Sequence, residues 1–594
     1  VEEDTVQLEL YQYVEPETAS IKEKRKSMLL FNPHKYERYH ADEHSRQLVE
    51  KTIRFFEDKG LQEIKEDDQN MVWYEDFLQF ITDEKIFATL LTPEKYGDGS
   101  TRWDMWRISE YNEVLAFYGL CYWYAWQVTI LGLGPIWMGD NEEMKYHTAE
   151  LLRQGGVFAF GLSEKEHGAD LYSSEMKLYP QEDGSYVARG SKYYIGNGNC
   201  AALVSTFGTI EGSDEYVFFT VRTDHPSYEC VKKIDTSGVR QAYVAEYSLH
   251  DYPITDEDIL SRGDLAWNSS LNTVNVGKYQ LGCASIGIAT HCFYEAINHA
   301  AGRNLYGRAV IDFPHVRTLF NEAYARLAAM KLVAHRAGDY LRAASDKDRR
   351  YLLYNPVVKM KVTGQGEKVV AMLHEIIAAK GFEQDTYFEM AIRDIGMLPK
   401  LEGTEHVNMA LIIKFVRNYF FEPVDYAAIE TLKEAGDDDY LFRQYTGGLA
   451  KIRFRDYRRA YEGKSSPNID LFKEQVELFR SLLITAPPSK EQSGNIDYML
   501  AAGALFTLIV YAQLILEKKD DYQVDDDLLE QIFAFLVADF AKAALKMVLD
   551  YDNSEEQDAL FREMMKKPIR DGHCFRRVFE QQVLTLQDSY HMNP

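Results

Sequence analysis

The sequence predicts an α+β fold: an N-terminal helical domain, a central antiparallel β domain, a C-terminal four-helix bundle and an extra C-terminal helical domain. Two observations carry this. Helical 3.6-residue spacing gives way to two-residue alternation only between about residues 155 and 265, and then returns. The two kinds of pattern form separate blocks instead of alternating βαβ units. The boundaries drawn from these changes are 1–154, 155–268, 269–430 and 431–594.

In the first block, Gln47–Phe56 and Trp103–Leu115 place apolar residues at helical spacing. The turn-rich run Thr92–Gly99 separates them. Glu110–Leu131 reads as a long aromatic helix, interrupted at Gly119 and stopping near Gly132. Strands are expected at Val157–Leu162, Glu175–Tyr179, Tyr186–Ala188, Leu203–Phe207, Tyr216–Val221 and Tyr243–Leu249, with a hairpin signal at Asp183-Gly184. Long amphipathic segments follow at Val276–Asn304, Val316–Ala344, Val357–Lys380 and Met409–Phe421, the lengths of a four-helix bundle. Beyond charged breaks at Gly436–Asp439 and Glu462–Asn468, Thr485–Gly494 reads as a linker before helices Asp497–Lys518 and Asp525–Asp550.

Composition narrows the function. Hydrophobic residues make up 46% of the 594 positions, a core-forming share that excludes a disordered chain. The 93 Asp and Glu outnumber the 66 Lys and Arg, and a net charge of -27 argues against nucleic acid as a partner. The six cysteines are scattered and form no C-x-x-C pair, so free thiols, a reducing compartment and a cytoplasmic location are expected, with no thiolate metal site. Val1–Leu10 carries acid and no apolar run, so it does not read as a signal peptide. Tyr498–Leu516 is uncharged and long enough to span a bilayer, but its flanks are acidic. A buried bundle helix is the favoured reading, and membrane association is not.

No P-loop, H-E-x-x-H, G-x-S-x-G or EF-hand pattern is present, and no metal site is predicted. His291 and His299 share one helix at a separation that suits ordinary helix positions. Three segments could carry chemistry. Phe160–Asp170 ends a strand in Ser163 and a polar loop with Gly168, which is either a plain turn or a cradle for a planar, acceptor-rich ligand. Tyr193–Gly198 is either a strand ending in a glycine turn or an aromatic strand against a flat ring, with Gly196 allowing close approach. Arg393-Asp394 precedes Leu401-Glu402-Gly403-Thr404. Locally, Glu402 reads as a capping carboxylate before a helix that starts near Thr404. Gly403 adds a sharp turn that lets a carboxylate and its own N–H face one pocket.

Read together, these segments resemble the acyl-CoA dehydrogenase family, over about residues 40–425. Phe160–Asp170 matches its flavin loop and Tyr194-Ile195-Gly196-Asn197-Gly198 its Trp-Ile-Thr/Ser-Asn-Gly strand. Arg303-Asn304-Leu305-Tyr306-Gly307 matches its Arg-x-x-Phe-Gly element, and Ala378-Ala379-Lys380-Gly381-Phe382 its Gly-Gly-x-Gly-Phe turn. Arg393-Asp394 and Glu402-Gly403-Thr404 stand in register with its Arg-Asp and Glu-Gly-Thr. The block after 430 resembles the extension of the very-long-chain and 3-methylthiopropanoyl-CoA branches.

The resemblance implies an FAD enzyme that oxidises an acyl-CoA to the trans-2-enoyl-CoA in fatty-acid β-oxidation, with electron-transfer flavoprotein as acceptor. It implies Glu402 as the base. Gly277, where some members carry the base, has no carboxylate. FAD contacts are implied for Phe160, Leu162, Ser163, Gly168, Ala169, Tyr194, Ile195, Gly196, Arg303, Tyr306, Ala378, Ala379, Gly381, Thr404 and His406. Substrate contacts are implied for Ala169, Asn275, Lys278 and Gly403, with Lys278 in the place of an Arg. Arg303, Ala379 and Gly381 match residues that reach a neighbouring subunit's flavin, which implies a homodimer or a dimer of dimers. Ala169, Tyr194, Gly196, Ala378 and Ala379 depart from the pattern and thin the cofactor contacts. The alternatives are an acyl-CoA oxidase with the same base and a catalytically silent assembly member of the superfamily.

Overall fold

The computed structural model describes residues 29–36, 43–168, 170–430, 435–445 and 447–594. Among the described residues, six α-helices precede the sheet: α1 (Glu43–Asn70), α2 (Glu75–Asp83), α3 (Ile86–Leu91), α4 (Met105–Tyr118), α5 (Leu120–Met138) and α6 (Glu142–Arg153). Helix α1 is broken at Gly60, whose φ of +75° no L side chain adopts easily. The chain's last residues seat there, Leu61 N–H donating to Asn593 O at 2.8 Å.

Eight strands follow: β1 (Phe158–Gly161), β2 (Lys177–Pro180), β3 (Tyr186–Gly196), β4 (Leu203–Ile210), β5 (Glu215–Val221), β6 (Tyr228–Lys233), β7 (Val244–Ile254) and β8 (Ile259–Arg262). They form one sheet in the order β6-β7-β3-β2-β4-β5-β8, with β1 on β4. Most pairs are antiparallel, but β1 and β2 both run parallel to β4. Strands β6 and β8 were not expected: β6 is half exposed and mixed in charge, and β8 is four residues long.

The bundle comprises α7 (Gly263–Gly302), α8 (Pro314–Arg342), α9 (Tyr351–Val357), α10 (Thr363–Ile377), α11 (Tyr387–Ile395), α12 (Glu405–Ile412) and α13 (Val416–Phe421). The expected boundary at 268/269 falls inside α7, whose first turns still touch β5 and β8. One π-helical turn, Val358–Val362, joins α9 to α10, so the expected helix Val357–Lys380 is not uniform. The last block holds α14 (Pro467–Thr485), α15 (Lys490–Gly494), α16 (Ile496–Lys518), α17 (Asp526–Asp550), α18 (Glu555–Met564) and α19 (Gly572–Val578). The linker expected at Thr485–Gly494 carries α15, whose Ser489 and Gln492 form a capping box.

Helix α16 is the apolar segment that raised the membrane question. It is long and apolar enough to cross a bilayer, yet 78% of its apolar window is buried inside the protein. It lies against α8, α12 and α17, and charged pairs fix it there: Arg336–Glu517 at 2.8 Å and Lys518–Asp339 at 2.7 Å. Arg326–Asp539 at 2.8 Å ties α17 to the same bundle helix. Against α12 the fit is steric: a Cβ on Gly503 would lie 2.6 Å from Met409 Sδ.

Helix α5 is buried along its whole length and passes its expected stop at Gly132, running on through Pro135 to Met138. Its glycines mark close contacts. A Cβ on Gly132 would lie 2.6 Å from Ala159 N and 2.8 Å from Ala159 O on β1. A Cβ on Gly134 would overlap Thr273 of α7, and one on Gly139 would lie 2.5 Å from Leu260 O on β8. Polar stitches complete the seam: Ser205 Oγ donates to Gly132 O at 2.6 Å, and Asn197 Nδ2 to Phe158 O at 3.1 Å and Ala125 O at 3.3 Å.

In a typical helix interior, Gly→Ala stabilises by about 1 kcal/mol. Gly132→Ala is expected to do the opposite, lowering stability by about 1–3 kcal/mol because the new methyl meets backbone that cannot move aside. Thermal unfolding of the variant beside wild type reads the sign directly.

Candidate active site

Glu402 sits in a left-handed turn between α11 and α12, with φ of +54° at Glu402 and +87° at Gly403. Non-glycine residues hold this conformation only when their surroundings enforce it. Asn408, buried one turn into α12, does so by donating to both Gly403 O and Thr404 O at 3.0 Å. Thr404 is the N-cap residue of α12, as expected, but its side chain makes no cap hydrogen bond. The Glu402 N–H has no acceptor among the described residues.

The carboxylate of Glu402 reaches α7. A Cβ built on Gly277 would lie 3.7 Å from Glu402 Cδ. The two positions that could carry a base therefore serve one point in space, from two different elements. The same Cβ would press on Leu131 Cδ2 at 2.6 Å and Gln127 Nε2 at 3.1 Å, both on α5. Across the site, a Cβ on Gly196 would lie 2.6 Å from Val128 Cγ2, 2.8 Å from Tyr124 Cε1 and 2.9 Å from Tyr124 Oη. One stripe of α5 – Tyr124, Gln127, Val128 and Leu131 – thus forms a wall between two glycines.

Burial drives the electrostatics. Glu402 is half-buried, and desolvation pushes its carboxyl up to about 7, partly offset by the charges of Lys278 and Lys359. Burial lowers the Lys278 ammonium, with Glu402 opposing that shift. Lys359 is buried in the π-helical turn, donates to Pro399 O at 2.5 Å and is brought down to about 8 by desolvation. Burial raises the Tyr124 hydroxyl above its ordinary value, and the Glu402 charge adds to this, so Tyr124 stays a neutral O–H donor.

Lys359, Tyr124 and Asn408 were not singled out from the sequence. Tyr124 is one of several aromatics in a run that reads as core, and Lys359 is one of three lysines within ten residues. A π-turn has no single-residue signature, although such turns are frequent at functional sites.

The remaining expected positions fall into three places. Ser163 and the β3 strand are joined: Ser163 Oγ donates to Tyr193 O at 2.7 Å, and Tyr193 N–H to Ser163 O at 2.9 Å. Leu162 is half-buried beside them, Gly168 is exposed, and Phe160 stacks on Phe218 at 6.1 Å. Tyr194 sits at a register shift between β3 and β7 with φ of +63°, which throws its side chain outward. Ile195 is core, so any contact it makes with a ligand is through its backbone. Ala169 lies outside the described residues. Asn275 is buried, accepts from Asn355 Nδ2 at 3.4 Å through its carbonyl and leaves its own Nδ2 without a partner.

Arg303, Tyr306, Ala378 and Ala379 are exposed, and Gly381 is buried. Burial lowers the His299 imidazole, and the charges of Arg303 and Lys380 lower it further. No contact joins this group to Glu402 among the described residues of one chain. Thr404 and His406 are exposed at the start of α12.

Arg393-Asp394 does not face Glu402's neighbours. Arg393 pairs with Asp68 on α1 and, at 2.7 Å, with Glu389, while Asp394 accepts from Val239 N–H at 2.8 Å. The pair ties α11 to α1 and to the β domain. Glu164, His167 and Glu175 bring possible ligand atoms within 4.8 Å of one another, but Glu164 is committed to buried Lys192 at 2.7 Å and to Met176 N–H at 3.2 Å.

Residues 267–416 match the family model "Acyl-CoA dehydrogenase, C-terminal domain". Over those residues the chain is similar to the acyl-CoA dehydrogenase family. It is 22% identical to a probable short/branched chain specific acyl-CoA dehydrogenase of Dictyostelium discoideum over 273 residues, 45% of this chain and 65% of that one. Thus it spans about two thirds of that relative's length. Its fold matches an acyl-CoA dehydrogenase from Bacillus anthracis solved with FAD, with a TM-score of 0.73 at 15% identity, covering 94% of this chain and 97% of that one. Butyryl-CoA dehydrogenase from Megasphaera elsdenii matches with a TM-score of 0.56 at 21% identity, over 62% of this chain and 97% of its own. The match to the longer Bacillus structure takes in the block after residue 430 as well.

Two predictions follow from the local strain and burial. Ala378 has φ of +55° and ψ of -138°, a region kept for glycine. Ala378→Gly is expected to raise stability by about 0.5–2 kcal/mol, the relieved strain exceeding the added flexibility of the unfolded chain, as a thermal melt will read.

The second concerns pH. The folded pKa of Glu402, about 7, lies above the ordinary 4.5. Between those values the native state holds a proton that the unfolded state has lost, so stability falls as pH rises through this window and levels off above it. Glu402→Gln removes that loss. The variant's advantage in denaturant midpoint should grow from pH 4.5 to 7 and then stay constant.

Proposed function

We propose that the protein is an FAD-dependent acyl-CoA dehydrogenase that converts an acyl-CoA thioester to the trans-2-enoyl-CoA. The observation that carries this reading is Glu402: a carboxylate raised to about 7 in a strained turn, 3.7 Å from where a side chain on Gly277 would begin. A proton beside a thioester carbonyl is weakly acidic, and a base that titrates near neutrality is suited to take it. As the proton moves to a Glu402 oxygen, negative charge develops on the thioester oxygen. The unpartnered Glu402 N–H is a donor suited to that charge, and Lys278 and Lys359 add positive potential around the carboxylate. Flavin supplies the hydride acceptor when bound.

The segment Leu162–Ser163, joined to Tyr193–Gly196, is the part of the chain we assign to the flavin ring. The fit is partial. Ser163 Oγ has given its proton to Tyr193 O and can only accept, and Ala378 departs from glycine at the cost of strain. Asn275 Nδ2 and Lys278 are the polar groups left for the substrate. The exposed Tyr306 (96%) and Phe382 (75%) beside Arg303 and the 378–382 turn support a homodimer or dimer of dimers in which this face meets a second copy. Electron-transfer flavoprotein as acceptor, a place in β-oxidation and a cytoplasmic location complete the reading.

Glu402→Gln tests it. The variant should still take up FAD and acyl-CoA, while bleaching of the flavin by substrate slows by a factor on the order of 100 to 10,000. In wild type, the bleaching rate should rise with pH through about 7 and then level off, because only the carboxylate form accepts the proton. A variant that bleaches at the wild-type rate sinks the assignment.

A further inference from the structure

We propose that Tyr124 is a flavin-contacting residue: its phenol hydroxyl supplies, from α5, the hydrogen-bond donor that the β3 strand lacks at Gly196. This rests on the FAD reading above and concerns a residue that it leaves without a role.

The case is steric first. Gly196 has no positive φ, so the backbone there does not require glycine. What requires it is α5, since a Cβ on Gly196 would lie 2.6 Å from Val128 Cγ2, 2.8 Å from Tyr124 Cε1 and 2.9 Å from Tyr124 Oη. The Tyr124 hydroxyl thus occupies the place that a side chain from position 196 would fill. Tyr124 is 7% exposed, and its hydroxyl is not among the fully enclosed polar atoms left without a partner, so it keeps an opening toward solvent. A hydroxyl that reaches an opening from a buried ring can meet a ligand atom without giving up a bond within the protein. The surroundings fix its place. Val128 lies one turn on along the same stripe, and the Glu402 charge is near enough to act on the hydroxyl. The donor therefore stands near both the flavin-facing strand and the base, and burial keeps it protonated through the working pH range.

The chemistry selects the acceptor. A phenol O–H at this point can donate to an acceptor atom on the edge of the isoalloxazine lying against β3. It neither takes nor gives up a proton in the reaction. Its contribution is to hold the ring and to bias its electron affinity.

The test uses the full-length protein, stripped of flavin and reconstituted with FAD. Tyr124→Phe removes one oxygen and keeps the ring that packs on Gly196. It should weaken FAD binding by about 3- to 10-fold, the worth of one hydrogen bond, and shift the flavin absorption envelope and its midpoint potential. The triple variant Tyr124→Leu/Val128→Ala/Gly196→Ser, which frees the space and returns a hydroxyl from the strand, should recover affinity and potential relative to Tyr124→Leu/Val128→Ala. If Tyr124→Phe leaves FAD affinity, spectrum and potential at wild-type values, the proposal is wrong. It is equally wrong if only the KM for acyl-CoA moves, since the hydroxyl then faces the substrate. A wild-type chain that takes up no FAD overturns the cofactor reading itself, and this proposal with it.

Discussion

The closeness of α5 to its neighbours is the constraint on which the rest of the structure depends. This helix is wedged between the sheet and the bundle with no exposed face. Contacts at Gly132, Gly134 and Gly139 bring its backbone against β1, α7 and β8 at distances that no side chain tolerates. Packing this tight transmits position. The stripe Tyr124–Leu131 is held at a fixed height between Gly196 and Gly277, and the gap left between those walls is where the Glu402 carboxylate arrives. A helix even slightly farther out would open the site to water and dissolve the desolvation that raises Glu402.

The electrostatics of the site follow from that exclusion. A half-buried carboxylate beside two lysines would ordinarily be held low, yet desolvation is the largest effect on Glu402 and wins. Neither lysine forms a close ion pair with it, so attraction is present without being strong enough to commit the carboxylate to a structural bridge. The contrast with Glu164 is instructive. That carboxylate lies 2.7 Å from Lys192, accepts further hydrogen bonds from Ser174 and the chain, and is held below its ordinary value. One acid is satisfied and serves the fold, while the other is left able to change its charge.

The C-terminal block bears on the same point from behind. Helix α12 carries the turn that presents Glu402, and α16 packs on α12 through Gly503 against Met409 and Ile413. Buried ion pairs from α8 to Glu517, Lys518 and Asp539 fix the register of that support. An apolar helix long enough for a membrane is used here as a second wall behind the Glu402 turn, which explains its burial within the protein.

The sequence by itself determined the block order, because helical and strand periodicities are local properties of consecutive side chains. It determined Glu402 as the candidate base, since the resemblance left one carboxylate at either usable position. It also singled out Gly196 and Gly277, but their meaning was decided only by tertiary structure. Gly132 read as a helix stop and is a contact point inside a continuous helix, because a missing side chain looks the same whether it frees the backbone or admits a neighbour. Arg393-Asp394 read as part of the chemical segment and is a tie between domains, because its partners Asp68 and Val239 are more than 150 residues away. Tyr124 and Lys359 were invisible among other aromatics and lysines, since what distinguishes them is their distance to Glu402 and Gly196 through space, and no local pattern records a distance between elements so far apart along the chain.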